Sequence, residues 1–134
     1  MATLIPYSNF HGRCKEAMNF YKSIFGGELE LQIAGDSPAK EHITPELHDK
    51  VLHSHLKGGM IEMMATDMAP VAPIEGNTIY LALICKDEAE IKSLFEKLSE
   101  KAKIEQPLQK AFFGWFGSLE DQFGRHWMFQ GDAK

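Results

Sequence analysis

The sequence predicts an α+β fold of two βαβββ modules forming a curved mixed sheet around a cleft, with the helices outside. Two observations carry this prediction. Strand and helix signals run strand, helix, three strands, and the same order begins again near residue 78. An internal duplication of this kind, with little residue identity between its halves, defines a narrow architectural class. The length of 134 residues then suits one domain holding both modules, at residues 1–66 and 77–130.

Leu4 to Phe10 reads as the first strand. From Arg13 to Phe25 the residues Ala17, Met18, Tyr21, Ile24 and Phe25 recur at helical spacing. Gly26-Gly27 ends that helix, because glycine accepts the left-handed conformation at a helix C-terminus. Leu29, Leu31 and Ile33 alternate with Glu30 and Gln32, the period of a half-buried strand. Residues 35–50 carry two prolines, charges, His42 and His48, so they read as a loop with solvated histidines. Strands at 51–57 and 60–66 follow, joined by Gly58-Gly59. After a loop at 67–77 the second module begins with a strand at 78–85. Asp87 caps a helix from Glu88 to Glu100 with Ile91, Leu94, Phe95 and Leu98 on its apolar face. Strands near 103–108, 112–119 and 125–130 complete it, and residues 121–124 turn the chain between the last two.

Composition narrows the function classes. At 44% hydrophobic and 25% charged, the chain is that of a folded globular protein. No apolar run approaches the roughly 20 residues of a membrane helix. The N-terminus lacks a basic stretch followed by a long apolar one, so a cytoplasmic location is expected. The formal net charge of -5, with no long Lys/Arg cluster, argues against nucleic acid and favours a small-molecule partner. Cys14 and Cys85 lie in apolar periodic segments without CxxC spacing and read as buried, inert thiols.

Three segments carry a family resemblance: FYKSIFGGELEL at 20–31, HSHLKGGMIEMMATD at 53–67 and FFGWFGSLEDQFGRHWMF at 112–129. They resemble the PhnB-like branch of the vicinal-oxygen-chelate superfamily, to which glyoxalases and bleomycin-resistance proteins belong. PhnB-like proteins often bear a demethylubiquinone-methyltransferase label, yet this chain has no glycine-rich motif for a methyl donor. In the metal-dependent members four cleft-facing side chains bind a divalent metal. The resemblance carries these positions to Pro6, Glu62, Tyr80 and Met128. Only Glu62 is a good hard-metal ligand, since proline has no side-chain donor, thioether is soft and neutral phenol is poor. The resemblance therefore implies that the metal site is broken, that no metal or other cofactor is held there, and that glyoxalase activity is absent. It also implies a homodimer.

A two-residue Gly58-Gly59 turn would set Lys57 against Met60, Leu56 against Ile61 and His55 against Glu62. His53 and His55 then share the cleft face with Glu62, while Leu52, Ser54, Leu56, Ile61 and Met63 face the helices. A cross-strand His–Glu pair can orient an imidazole for acid/base work, contribute to a displaced metal site, or be a plain hydrogen bond. On the last strand His126 and Met128 alternate with Trp127 and Phe129, so His126 is a further cleft candidate or a partly exposed polar residue. Phe112, Phe113, Trp115 and Phe116 are too many aromatics for one face, so some should line the cleft or a subunit interface. Met60, Met63, Met64 and Met68 suit either the core or an adaptable apolar pocket.

The expected ligand-contacting set is therefore His53, His55, Glu62, Met64, Tyr80, Trp115, His126 and Met128, with His55 and Glu62 as the catalytic candidates. Three functions compete. The first is metal-independent binding of a small, largely apolar molecule. The second is a lyase or isomerase using His55 and Glu62, with or without a displaced metal. The third is a protein whose dimer surface is its function.

Overall fold

The computed structural model describes residues 2–132, and Pro6 marks where its first strand begins. Proline cannot donate to a ladder, so it sits just outside the strand, and its carbonyl accepts from the Met64 amide at 2.9 Å. The strand expected over 4–10 is accordingly short: β1 spans Tyr7–Asn9. The chain divides between Ile74 and Glu75 into two compact units.

The first unit continues with α1 (Cys14–Phe25), β2 (Glu28–Ile33), β3 (Val51–Lys57) and β4 (Met63–Thr66). Its strand order is β1-β4-β3-β2, with β1 parallel to β4 and the other pairs antiparallel. α1 buries Cys14, Ala17, Met18, Tyr21, Ile24 and Phe25. Against it the sheet turns Ser54, Leu56, Met63 and Ala65, all essentially inaccessible. The Cys14 thiol lies 3.4 Å from the Ser54 hydroxyl across this contact. The loop read at 35–50 carries three short 3-10 turns. His48 is no solvated residue there, since its Nε2 reaches the Ile43 carbonyl at 2.8 Å and the Lys40 carbonyl at 3.2 Å. His42 is exposed as expected.

The second unit repeats the order as β5 (Leu81–Cys85), α2 (Glu88–Leu98), β6 (Lys103–Ala111), β7 (Gly114–Glu120) and β8 (His126–Gly131). The sheet runs β5-β8-β7-β6, again with its first and last strands parallel. Asp87 caps α2 by accepting from the Glu90 amide at 2.8 Å, as read from the sequence. Trp127, Phe129 and Leu119 pack beneath α2 with Ile91, Leu94 and Leu98. β6 is longer than expected because Phe112-Phe113 form a two-residue turn, with Ala111 paired to Gly114. Among the described residues no helix is long and apolar enough to cross a membrane.

The hairpin register differs from the expected one by two residues. Leu56 pairs with Met63, His55 with Met64 and Ser54 with Ala65. The cause is the glycine pair itself, which packs on the end of α1 and leaves the ladder. The Met60 amide donates to the Phe25 carbonyl at 3.1 Å. A Cβ on Gly59 would lie 2.5 Å from the Gly26 carbonyl carbon, and one on Gly27 2.5 Å from the Lys57 carbonyl oxygen. Gly27 and Gly59, one from each pair, thus let these backbones touch. Residues 58–62 become the connection and β4 starts at Met63, not Met60.

Candidate functional site

A shift of two residues leaves every side chain on its expected face, because strand side chains alternate with period two. The helix-free face of the first sheet therefore presents His53 and His55 from β3, Met64 from β4 and Tyr7 from β1. In register, Tyr7 lies beside Met64, Met64 beside His55, and His55 beside Glu30. Glu62 precedes β4 and is not opposite His55, yet it reaches back to it. His55 Nε2 and Glu62 Oε2 are 2.7 Å apart. A carboxylate only accepts, so the ring donates to it through Nε2. The His55 side chain is 16% exposed and that of Glu62 43%, so the pair is held by the sheet and open to solvent at its acidic end. The Tyr7 and His53 rings lie 6.1 Å apart. Lys57 pairs with Glu30 at 3.3 Å beside this group.

In the second unit the helix-free face carries Tyr80, His126, Met128, Phe116, Ser118 and Glu120. Met128 pairs with Ala82 on one side and the buried Ser118 on the other. Glu120 pairs with His126. His126 Nδ1 lies 3.0 Å from Glu105 Oε2, and Nε2 lies 3.7 Å from Glu120 Oε1. Tyr80 packs on the His126 ring at 5.2 Å, and the neighbouring Glu105 carboxylate, as hydrogen-bond acceptor and as charge, raises the phenol pKa above its ordinary value.

Trp115 does not join this face. It sits on the α2 side of β7 with the Lys92 ammonium 5.0 Å from its ring centroid, and its indole N–H is buried without a hydrogen-bond partner. The Phe113 and Phe116 rings lie 5.2 Å apart. Of the methionines, Met63 is core, Met64 lies on the helix-free face and Met60 is 60% exposed. Sequence reading missed Glu105 and Glu120. Pairing is irregular between Ile104 and Gln106, a bulge that re-aims Glu105 and that no alternation pattern announces.

The donor chemistry at Pro6, Glu62, Tyr80 and Met128 does not fit the metal of the glyoxalase-type enzymes. Pro6 offers only its carbonyl, which Met64 already occupies. Tyr80 is a donor to Glu105 and Glu62 an acceptor from His55. Among the described residues no three His, Cys, Asp or Glu side chains converge as a metal site.

The chain matches the family model described as 3-demethylubiquinone-9 3-methyltransferase over residues 2–130. It is similar to protein PA1353 from Pseudomonas aeruginosa, at 32% identity over 98% of each chain with a TM-score of 0.85. It is also similar to the PhnB protein from Bacillus cereus, at 28% identity over 97% of this chain and 99% of that one, with a TM-score of 0.77. A glyoxalase-related enzyme from Fulvimarina pelagi shares the fold alone, at 14% identity over 98% of this chain and 89% of that one, with a TM-score of 0.64.

Proposed function

The chain belongs to the PhnB-like family of the vicinal-oxygen-chelate superfamily, and on that premise we propose that it binds a small, largely apolar molecule without a metal, in the cytoplasm. The observation that supports this reading is the hydrogen-bonded His55–Glu62 pair on the helix-free face of the first sheet. Met64 and Tyr7 flank the pair with apolar and aromatic surface, and His53 extends it. A face that sets a methionine and a tyrosine ring beside a few converging polar groups has the composition of a small-ligand site. A ligand hydroxyl would meet the His55 ring and the Glu62 carboxylate. In the second unit, taken by itself, Tyr80 and Met128 on the helix-free face of its own sheet are the residues proposed for ligand contact.

The test is ligand-observed NMR with a set of small hydroxylated aromatics, before and after dialysis against a chelator. Binding is expected to survive chelation and to weaken at least about tenfold in His55→Ala, the size of one lost hydrogen bond to a charged pair. The thermal midpoint should stay nearly unchanged, since an ion pair open to solvent at its carboxylate contributes on the order of 1 kcal/mol or less. Unfolding of His55→Ala, or binding unaffected by it, would make the pair structural.

We further propose that two copies pair. Phe112 at the hairpin tip is 96% exposed and Ile84 on the edge strand β5 71% exposed, apolar surface of a kind that marks association sites. Light scattering should then give twice the 15.1 kDa chain mass, and a chain that stays at the single mass across micromolar concentrations refutes it.

A further inference from the structure

We infer that Gly59 is a positioning residue for the His55–Glu62 pair, because the end of α1 holds the connection at 58–62 where Glu62 reaches the ring. This rests on the pair proposed above as the polar part of the ligand site. Two carboxylates stand near His55. Glu30 is its direct partner across β2 and β3, the place from which a cross-strand contact is normally made. Glu62 precedes β4, and with Leu56 paired to Met63 it is only a diagonal neighbour, at roughly 7–8 Å. Yet His55 Nε2 meets Glu62 Oε2 at 2.7 Å, and Glu30 Oε1 lies 3.3 Å from Lys57 Nζ instead. Ladder pairing therefore does not choose the partner. Something else must fix the backbone at Glu62, which belongs to no strand.

The end of α1 supplies that fixed point. A Cβ on Gly59 would fall 2.5 Å from the Gly26 carbonyl carbon and 2.6 Å from the Phe25 carbonyl oxygen, so no side chain fits there. The next amide, Met60, donates to the Phe25 carbonyl at 3.1 Å, satisfying a group that the last helical turn leaves open. Ile24 and Phe25 are both buried, which makes the anchor part of the core. From the other side Gly27 closes in, where a Cβ would lie 2.7 Å from the Gly59 nitrogen.

Glu62 is thus held from both directions. Met60 is pinned to α1 two residues before it, and Met63 enters the core directly after it. Only the side-chain torsions of Glu62 remain to be ordered when the pair forms. A connection detached from α1 would have its backbone to order as well, and Glu30 would be the nearer carboxylate. Gly58 makes no such contact. Its φ of +85° serves the turn, and a Cβ there would meet nothing within 4 Å. Of these two adjacent glycines, one shapes the chain and the other touches the helix.

The experiment is 1H–15N NMR of the full chain at low temperature, following the exchange with water of the hydrogen-bonded Nε2–H of His55. That signal should be lost in Glu62→Ala and kept in Glu30→Gln. In Gly59→Ala its exchange should speed up at least about tenfold, the effect of losing one charge-assisted hydrogen bond. The backbone amides of His55 and Met64 should keep their shifts, showing that the ladder is intact. Gly58→Asn, in which asparagine tolerates the positive φ, should leave the ring signal as it was. Met60→Pro removes the donor to Phe25 without adding an atom to the Gly59 contact, and it takes the place of Gly59→Ala if that variant does not fold. Unchanged ring exchange in Gly59→Ala, or in Met60→Pro where it stands in, would overturn the inference. So would an equal loss in Gly58→Asn, or a signal that depends on Glu30. The readout needs no ligand, so failure of ligand binding with the ring behaviour as expected sinks only the binding reading. A ring indifferent to Gly59 sinks only this one.

Discussion

The two units share one element order and hold their helices in place in opposite ways. In the first, α1 has no capping side chain of its own at Arg13. Asp67, at the far end of the unit, does that work. Its Oδ1 accepts from the amides of Gly12 at 2.6 Å and Cys14 at 3.0 Å, and its Oδ2 from Val51 at 3.0 Å. One carboxylate so ties the helix N-terminus to the start of β3. In the second unit Asp87 caps α2 from the adjacent position, and Asp121 organises the turn before β8. Asp121 accepts from the amides of Phe123 and Arg125 and from the Trp127 indole at 2.8 Å. The first unit depends on contacts more than fifty residues long, the second on contacts of two to six. The histidines follow the same contrast. His55 has one carboxylate partner and an open flank, while His126 is enclosed by Glu105, Glu120 and Tyr80.

The strongest test of this contrast is a pair of alanine substitutions. Asp67→Ala leaves three backbone donors without their charged acceptor and should cost on the order of 3 kcal/mol. Asp87→Ala removes one cap and should cost about 1 kcal/mol. Urea unfolding of both variants measures the difference, and equal losses would break the comparison.

A smaller effect separates the two tryptophans of the second unit. Trp127→Phe strips Asp121 of a buried donor and should cost about 2 kcal/mol. In Trp115→Phe a buried N–H with no partner is removed, so packing loss and relieved desolvation nearly cancel and the change should stay below about 1 kcal/mol. Denaturant midpoints for the two decide whether the short-range Asp121 clamp matters as much as its geometry says.

The smallest expected effect concerns the thiols, one in each unit. Burial, as the largest cause, pushes both Cys14 and Cys85 up from 9.0 to about 11. Both should resist alkylation near neutral pH, where the thiolate is the nucleophile. A raised thiol pKa contributes stability that is intact below pH 9.0, then is lost as pH rises toward about 11, because the unfolded chain gives up its protons first. Cys14 is fully buried and Cys85 is 6% exposed, so Cys85 should be modified first. Faster labelling of Cys14 would show that the long-range anchor opens more readily than the local one.

Sequence alone determined the periodic parts of this protein. The helices read at 13–25 and 88–100 and found at 14–25 and 88–98, the repeated element order, the Asp87 cap and the faces of His53, His55 and Met64 follow from short-range spacing, whereas the face of Met128 came from the family resemblance. Pairing the residues across the hairpin needed more. The ladder register hung on where Gly58-Gly59 goes, and its destination is the end of α1, an element thirty residues earlier. The His55–Glu62 contact formed despite that shift because a slip of two preserves the face and a glutamate is long enough to reach back. Trp115 went to the α2 side, Glu105 was aimed at His126 by a bulge, and Asp67 reached α1 across the unit. Those three were decided by tertiary structure alone, since each depends on which backbones come close together, and alternation along a strand holds no record of that.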